Sequence, residues 1–250
     1  MKRSLILWVV LTVCMLIIYS PLLSAKTIAL WLCDEGSGQT LKDNSNNGHD
    51  GKLEGKTTWD TGKFGKALKL NGSPDRVVVP GSPDLTGSSA MTVEFWVNAP
   101  KQADYHIPIA KGVKGPGHWE LYLLAGVGNF SSYIPDLGDF GGTQSVTDDQ
   151  WHHCAMVWDG SSVTLYVDGK EVKKWTGLDG KKIVADNQEL NIGSLVEKAL
   201  WHTGLLDEIR ISDVALNPNQ LGFSGSLAAG VTTVEPGDKL SACWGKIKGQ

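Results

Sequence analysis

The segment Met91–Pro100, MTVEFWVNAP, limits the possible folds of this chain more than any other segment. Every second residue from Met91 to Val97 is apolar, and side chains two residues apart lie on the same face of a β-strand. A second segment, Trp151–Asp159, is apolar in both phases, which is typical of a central strand covered on both faces. The two segments predict the central strands of a β-sandwich.

The rest of the chain indicates the same class of fold. Up to Leu221 it shows no helical periodicity longer than two turns, and clusters of Gly, Asn, Asp and Pro separate its short apolar runs. This spacing predicts an all-β, antiparallel two-sheet sandwich. A short helix is predicted at Asn217–Leu221, with Asn217 as its N-cap. The predicted strands are Thr27–Cys33, Lys66–Leu70, Arg76–Val79, Met91–Asn98, Ile107–Lys111, His118–Ala125, Asn129–Ile134, Trp151–Trp158, Ser162–Val167, Glu171–Trp175, Glu189–Ile192 and Leu205–Ser212.

The N-terminus has the pattern of a secretory signal peptide. Lys2 and Arg3 precede an uncharged run, which is followed by the small pair Ser24-Ala25. The alternative is a retained membrane anchor, although the run is shorter than the roughly 20 residues of a spanning helix. We expect a signal peptide at 1–25, one domain at 26–222, and a Gly-rich linker and tail at 223–250 that either docks or is disordered. The mature protein is then a secreted, periplasmic or extracellular monomer without membrane contact.

Charge and cysteine content exclude further classes of protein. Without residues 1–25 the chain has 21 Lys+Arg (23 minus 2) against 27 Asp+Glu, a net charge of −6. It has no basic patch, so we expect no nucleic-acid partner. Cys33, Cys154 and Cys243 are an odd number, and no disulfide framework follows from them. Cys33 and Cys154 occupy apolar phases of their strands and are predicted to be buried and unpaired.

Six segments resemble the signatures of one family, in the right order along the chain. They are ALWLCDEGSGQTLKDNSNNGHDGKLEG, GKFGKALKLNG, MTVEFWVNA, WHHCAMVWDG, VTLYVDGKEV and LLDEIRISDVALNPNQL. Together they resemble the laminin G-like, concanavalin A-like jelly-roll domains of secreted bacterial proteins. The resemblance implies two antiparallel sheets packed face to face. It also implies calcium, and carbohydrate or protein ligands bound at the rims or on the concave face.

The polar segment Asp43–Glu54, DNSNNGHDGKLE, approaches the spacing of an EF-hand calcium loop. Its flanks are not amphipathic helices, and Asp50 occupies a place that should pack inward. We therefore interpret the segment as a polar turn before a short strand at Gly51–Leu53.

A calcium site is predicted where the first and last strands meet. Asp34 ends the first strand and Asp207 begins the last one, and terminal strands of an antiparallel sandwich often lie side by side. Backbone carbonyls near Gly72 would add oxygen ligands, and the resemblance implies a further ligand at Asn71, where the family often has Asp. In laminarinase-like relatives of the fold, a structural calcium is held in this way. The alternative is that Asp34 caps a turn and Asp207 pairs with Arg210 or a backbone amide.

No segment has the pattern of a hydrolase. Laminarinase-type enzymes of this fold carry a Glu-x-Asp-x-x-Glu run, whereas Glu94 and Glu120 each stand alone in their strands. The chain has no G-x-S-x-G motif, and its histidines lack the spacing of zinc ligands. The sequence therefore predicts a protein that is not an enzyme.

Aromatic residues near loops are the predicted ligand-binding residues. An exposed ring beside polar groups can hold both the apolar face and the hydroxyls of a sugar. The alternative is that these rings close the ends of the sandwich. We expect a non-catalytic module for glycan recognition with a structural calcium ion, and the competing prediction is a structural or protein-interaction domain of the cell exterior. The predicted residues are Tyr105, Trp119 and Trp201, with Asp104, Lys111 and His202 as polar partners.

Overall fold

The computed structural model describes residues 27–197 and 199–230. The predicted signal peptide, Cys243 and most of the predicted tail lie outside the described residues. No helix in the described part of the chain is long and apolar enough to span a membrane. The strands are β1 (Thr27–Trp31), β2 (Thr40–Leu41), β3 (Gly51–Glu54), β4 (Thr58–Thr61), β5 (Lys66–Asn71), β6 (Arg76–Val79), β7 (Met91–Asn98), β8 (His106–Lys111), β9 (Trp119–Leu123), β10 (Phe130–Ile134), β11 (Gly138–Phe140), β12 (Trp151–Trp158), β13 (Val163–Val167), β14 (Lys170–Trp175), β15 (Leu190–Ile192) and β16 (Thr203–Ser212). Short 3₁₀ turns lie at Pro83–Leu85, Pro218–Gln220, Gly222–Ser224 and Leu227–Gly230.

These strands form two antiparallel sheets of eight strands each. Sheet 1 has the order β14–β13–β12–β7–β16–β5–β4, and β1 pairs with the second half of β16. Sheet 2 has the order β11–β10–β9–β8–β15–β6–β3–β2. One apolar core draws side chains from both sheets. The arrangement confirms the predicted all-β, antiparallel jelly-roll sandwich.

Alternating side chains of β7 and β12 form the centre of the core. Cys154 lies opposite Phe95 and Met156 lies opposite Val93, so all four side chains share the inner face of sheet 1. Phe95 packs edge-to-face on Phe130 of sheet 2, with ring centroids 5.9 Å apart. This register confirms the inner face that the alternating sequence predicts for both strands.

The two described cysteines are buried and form no disulfide, as predicted. Burial raises the pKa of both the Cys33 and the Cys154 thiol, because the thiolate would lose its hydration. Both side chains therefore act as small apolar groups.

The chain after β16 covers the outer face of sheet 1. Apolar residues of this segment pack on the outward face of β12. The N–H of Gly222 donates to the Glu94 carboxylate at 2.8 Å, and the N–H of Leu227 donates to Glu208 at 2.7 Å. These contacts continue past residue 222, the predicted end of the domain.

Short elements account for the differences between prediction and structure. The sequence does not predict β2, β4 and β11, which have only two to four residues and are too short to show alternation. The helix predicted at Asn217–Leu221 is a single 3₁₀ turn, in which the Gln220 side chain accepts the N–H of Asn217 at 2.9 Å. The segment resembling an EF-hand is a turn before β3, and its Asp43 carboxylate accepts the N–H groups of Leu30 and His49.

Candidate functional site

A pocket of about 300 Å³ lies on the outer face of sheet 2. In β9, Trp119, Leu121 and Leu123 belong to the core, so the alternate side chains point to the outer face. We call this cavity the tyrosine pocket. It is lined by Tyr105, Lys114, Glu120, Tyr122, Tyr133, Asp139 and Leu200.

The strand register places one tyrosine between two carboxylates. Tyr133 of β10 lies opposite Glu120 of β9 and opposite Asp139 of β11. Side chains directly opposite in antiparallel strands lie on the same face of the sheet. The floor of the tyrosine pocket therefore combines an aromatic ring with hydrogen-bond acceptors on both sides.

Tyr105 and Tyr122 form an aromatic wall of the pocket. Their ring centroids are 5.7 Å apart and their planes meet at 61°, an edge-to-face arrangement. The Tyr122 hydroxyl donates to Asp139 Oδ1 at 2.8 Å. Burial raises the pKa of Tyr122, and this hydrogen bond to Asp139 adds to the effect. Tyr105 is 37% exposed, so its ring remains accessible to a ligand.

Glu120 is held in place by residues at the start of β9. One ring nitrogen of His118, Nδ1, lies 2.8 Å from the carbonyl oxygen of Gly112, and Nε2 lies 2.9 Å from Glu120 Oε2. Because both partners are acceptors, the two hydrogen bonds are complete only when a proton lies between His118 and Glu120. The second oxygen, Oε1, lies 3.9 Å from Nζ of Lys114, beyond hydrogen-bond distance.

A larger groove, of about 530 Å³, lies beside the C-terminal segment. Residues around Asn44 to Asn46 and from Gln220 to Leu227 form most of its lining, which contains no aromatic ring. The tyrosine pocket is smaller, but its rings and its convergent polar groups are the features expected of a ligand site. It is therefore the stronger candidate on chemical grounds.

One of the predicted ligand-binding residues lines this pocket. Tyr105 forms part of its wall. Asp104 is the next residue and is exposed, and its carboxylate accepts the N–H of Tyr105 at 2.8 Å. Trp201 is partly buried and is not among the lining residues.

Three other predicted ligand-binding residues are buried, and their assignment is wrong. Trp119 is fully buried in the core, where its indole N–H donates to a backbone carbonyl at 3.2 Å. Lys111 is fully buried and forms an ion pair with Asp186. His202 is also fully buried, with Nδ1 3.3 Å from Nδ1 of His106, and burial lowers the pKa of His202. Solvent does not reach these side chains, so none of them can contact a ligand at the surface.

The sequence does contain a signal for two residues that the prediction missed. In Trp119–Leu123, WELYL, Glu120 and Tyr122 alternate with three apolar residues. A strand with this alternation turns Glu120 and Tyr122 away from the core. Tyr133, Asp139 and Lys114 come from other segments, and no local pattern connects them with β9.

The predicted calcium ligands Asp34 and Asp207 contact the same turn. Since β1 pairs with β16, the two carboxylates lie at one end of that pair. Asp34 Oδ1 accepts the N–H of Lys66 at 2.8 Å, and Asp207 Oδ2 accepts the N–H of Phe64 at 3.0 Å. Asp207 Oδ1 is buried and has no hydrogen-bond partner among the described residues. Desolvation by burial raises the pKa of Asp207 to about 7, and the charges of nearby acidic side chains add to the effect.

Asn71 does not belong to this site, and its assignment as a calcium ligand is wrong. It lies opposite Thr203, which is four residues before Asp207 in β16, a distance of about 13 Å along a strand. Its side-chain amide donates to Asp75 at 2.8 Å instead. Within residues 27–197 and 199–230, no three His, Cys, Asp or Glu side chains are grouped to hold one metal ion.

Comparison with known families gives a match over most of the sandwich. A laminin G family model, described as the concanavalin A-like lectin/glucanases superfamily, matches residues 71–222. The chain is also similar to the "Sushi, von Willebrand factor type A, EGF and pentraxin domain-containing protein 1" of Rattus norvegicus, with 26% identity over 173 residues. That alignment covers 64% of this chain but only 5% of the rat protein.

Solved structures show the same fold. Domain 4 of AbnA, a GH43 extracellular arabinanase from Geobacillus stearothermophilus in complex with arabinotriose, superposes with a TM-score of 0.62 and 26% identity. The match covers 78% of this chain and 96% of that domain. The binding domain of Paraclostridial Mosquitocidal Protein 1 also gives a TM-score of 0.62, at 16% identity, over 78% of this chain and 50% of the other.

Proposed function

The chain belongs to the concanavalin A-like lectin/glucanases superfamily, and on this basis we propose that it is a non-catalytic binding module that recognises a glycan at the tyrosine pocket. One observation carries the proposal, namely the combination of an accessible aromatic wall with hydrogen-bonding groups in a small cavity. A sugar has apolar C–H faces, which pack on rings, and hydroxyl groups, which bond to carboxylates and ammonium groups. The tyrosine pocket offers both kinds of contact.

The similar structures support this choice of ligand class. AbnA domain 4, the neighbour with 26% identity, has arabinotriose bound, and the mosquitocidal protein region is described as a binding domain. The first protein thus has a saccharide bound, and the second is described by its binding role. A short oligosaccharide is therefore the first class of ligand to test.

The surroundings of Glu94 support a role without catalysis. A glycosidase needs a carboxyl group with a raised pKa to act as general acid. Burial alone would raise the pKa of Glu94, but the hydrogen bond from His153 and the charge of Arg210 hold it below its usual value. Gly222 lies over this carboxylate and donates its N–H to it. Glu94 is thus an ion-pair partner closed off from substrate.

We also propose that the module acts outside the cell. The proposal depends on the order of charged, apolar and small residues before Lys26, which is typical of secretory signals.

Calorimetric titration with arabinotriose and with cellotriose tests the proposed site. Tyr105→Ala should weaken binding by about 2 kcal/mol, as expected for an aromatic contact in a binding site, without lowering the melting temperature. Phe223→Ala is a matched control, since Phe223 is exposed to the same extent (38% against 37%) but lies over sheet 1. It should leave the affinity unchanged.

Three results would contradict the proposal. If neither trisaccharide binds, or if Tyr105→Ala and Phe223→Ala have equal effects on affinity, the tyrosine pocket is not the glycan site, and a protein-interaction role becomes the better explanation. Release of reducing sugar from an oligosaccharide by the purified protein would show that the module is catalytic.

A further inference from the structure

Lys114 and Glu120 face each other in the tyrosine pocket, but they are too far apart to form a hydrogen bond. Lys114 Nζ lies 3.9 Å from Glu120 Oε1 and 5.6 Å from the centroid of the Tyr133 ring. Elsewhere on the surface an ion pair closes fully, as between Lys69 and Asp60 at 2.7 Å. The open pair therefore leaves a donor and an acceptor directed into the same cavity.

The gap has the size of one bridging oxygen atom. An oxygen about 2.8 Å from each of two atoms that lie 3.9 Å apart makes two hydrogen bonds of ordinary length. It must accept from the Lys114 ammonium and donate to the Glu120 carboxylate. A hydroxyl group does both, whereas an ionised carboxylate only accepts and an ammonium only donates.

We infer that Lys114 and Glu120 together bind one hydroxyl group of an uncharged saccharide and exclude acidic and amino sugars at that position. This inference rests on the proposed glycan-binding function of the tyrosine pocket and names the class of sugar. A carboxylate in the gap would face Glu120, and an ammonium would face Lys114. Each charged sugar would thus meet a like charge at hydrogen-bond distance, which is unfavourable.

The presence of both signs of charge in the pocket supports a neutral ligand. Glu120 Oε2 lies 2.9 Å from Nε2 of His118. The remaining lining charges are the Asp139 carboxylate and the Lys114 ammonium, which are opposite in sign. Asp139 also accepts the hydroxyl of Tyr122. Charges of both signs therefore line the pocket, so an acidic or a basic glycan would meet a like charge there, and a neutral glycan would not.

A structural role alone explains the pair poorly. Lys114 is about half exposed, with 49% of its side-chain surface accessible, and a surface ion pair at this separation stabilises a fold very little. Glu120 already has a closer partner in His118. Lys114 lies over the Tyr133 ring, and its ammonium remains available to a ligand group between the two charges.

Three β-1,4-linked trisaccharides that differ in charge test the inference: cellotriose, the trimer of glucosamine and the trimer of glucuronic acid. Arabinotriose serves as a second neutral ligand. We expect the native protein to bind a neutral trisaccharide at least tenfold more tightly than either charged trimer. Lys114→Met should weaken neutral binding about tenfold, since it removes a hydrogen bond from a charged donor. In the same variant, the difference in affinity between cellotriose and the glucosamine trimer should become smaller, because the ammonium that repels an amino sugar is gone.

Glu120→Gln should reduce the difference in affinity between cellotriose and the glucuronic acid trimer, because it removes the negative charge that repels an acidic sugar. The Gln side chain keeps an oxygen that can accept a hydrogen bond from His118. Lys174→Met, at an exposed lysine of sheet 1, is the control and should change none of these affinities. If Glu120→Gln melts early, the Lys114→Met measurements decide the question alone, because Lys114 is exposed.

The outcomes separate this inference from the proposed function. Binding that depends on Tyr105 but is equal for the neutral, amino and acidic trimers, or unaffected by Lys114→Met, would overturn the inference and leave the glycan site intact. Absence of binding by both neutral trisaccharides would overturn the site and the inference together.

Discussion

Glu94 Oε2 lies 2.9 Å from Nε2 of His153, at the centre of the paired strands β7 and β12, and both side chains are buried. The other carboxylate oxygen, Oε1, accepts a hydrogen bond from Nε of Arg210 at 2.6 Å. The N–H of Gly222 completes the set at 2.8 Å. A buried charge is tolerated only when its partners replace water, and here the last partner comes from the segment that covers sheet 1.

Removing this carboxylate should strongly destabilise the sandwich. Glu94→Ala leaves Arg210 and His153 without their buried partner, and breaking a buried ion pair in this way costs about 3–5 kcal/mol. Urea denaturation measures the difference. Glu171→Ala, at an exposed position of sheet 1, is the control and should change the free energy of unfolding by less than about 0.5 kcal/mol. Equal stability of the two variants would mean that the network adds nothing to folding.

The long strands could be predicted from the sequence because their patterns are local. The bounds of Met91–Asn98 and Trp151–Trp158 agree with the structure, since alternation over eight residues indicates both the strand and its inner face. β11 could not be predicted, because three residues show no period. The antiparallel pairing of β1 with β16 brings together the two ends of the domain. Local pattern could not predict it, and the prediction came from the tendency of terminal strands in an antiparallel sandwich to lie side by side.

The candidate site was harder to predict than the fold. Trp119 and Tyr122 lie three residues apart in one strand and therefore on opposite faces, and the prediction chose the residue that points inward. Trp119 was predicted to bind a ligand because it lies near a loop, but its phase in β9 turns its side chain into the core. Lys114 and Asp139 could not be assigned at all, because the site exists only after β9, β10 and β11 are placed side by side.

Trp119→Ala should lower the folding stability, as expected for a core residue. Removing a fully buried indole leaves a cavity and should cost about 3–5 kcal/mol of folding stability. Tyr105→Ala, at an exposed ring, should cost less than about 1 kcal/mol of stability. Thermal melting of the two variants makes the comparison. A stable Trp119→Ala protein with weakened glycan binding would contradict the burial of this residue.

We propose that a calcium ion is held by Asp34 and Asp207, without Asn71. An ion that binds only the folded state stabilises it by about 2.7 kcal/mol at a hundredfold excess over its Kd. The melting temperature should therefore rise with calcium and fall with a chelator. Asp207→Asn should abolish the difference, and Asn71→Ala should keep it. Identical melting curves in calcium and chelator would show that the two carboxylates bind no ion.

In the presence of a chelator, so that no calcium is bound, the protein should become less stable as the pH rises because of Asp207. Burial raises the pKa of Asp207 to about 7 in the folded state, whereas the ordinary value of 3.8 applies to the unfolded chain. Between these values the folded protein binds a proton that the unfolded chain has released, so the free energy of unfolding decreases with increasing pH. This stabilisation is complete below about pH 4 and is lost as the pH rises through 7. Its size is on the order of 4 kcal/mol, because the pKa of Asp207 is raised from 3.8 to about 7 and each unit of pKa corresponds to roughly 1.4 kcal/mol.

Asp207→Asn removes the titrating group and keeps an oxygen that can accept the N–H of Phe64. Urea denaturation from pH 4 to pH 8 should therefore show a flatter profile for this variant and higher stability than the native protein at pH 8. Asp213→Asn, at an exposed position just after β16, should follow the native profile. If Asp207→Asn loses stability with pH as steeply as the native protein, another group is responsible for the dependence, and the unpartnered Oδ1 of Asp207 is not the cause.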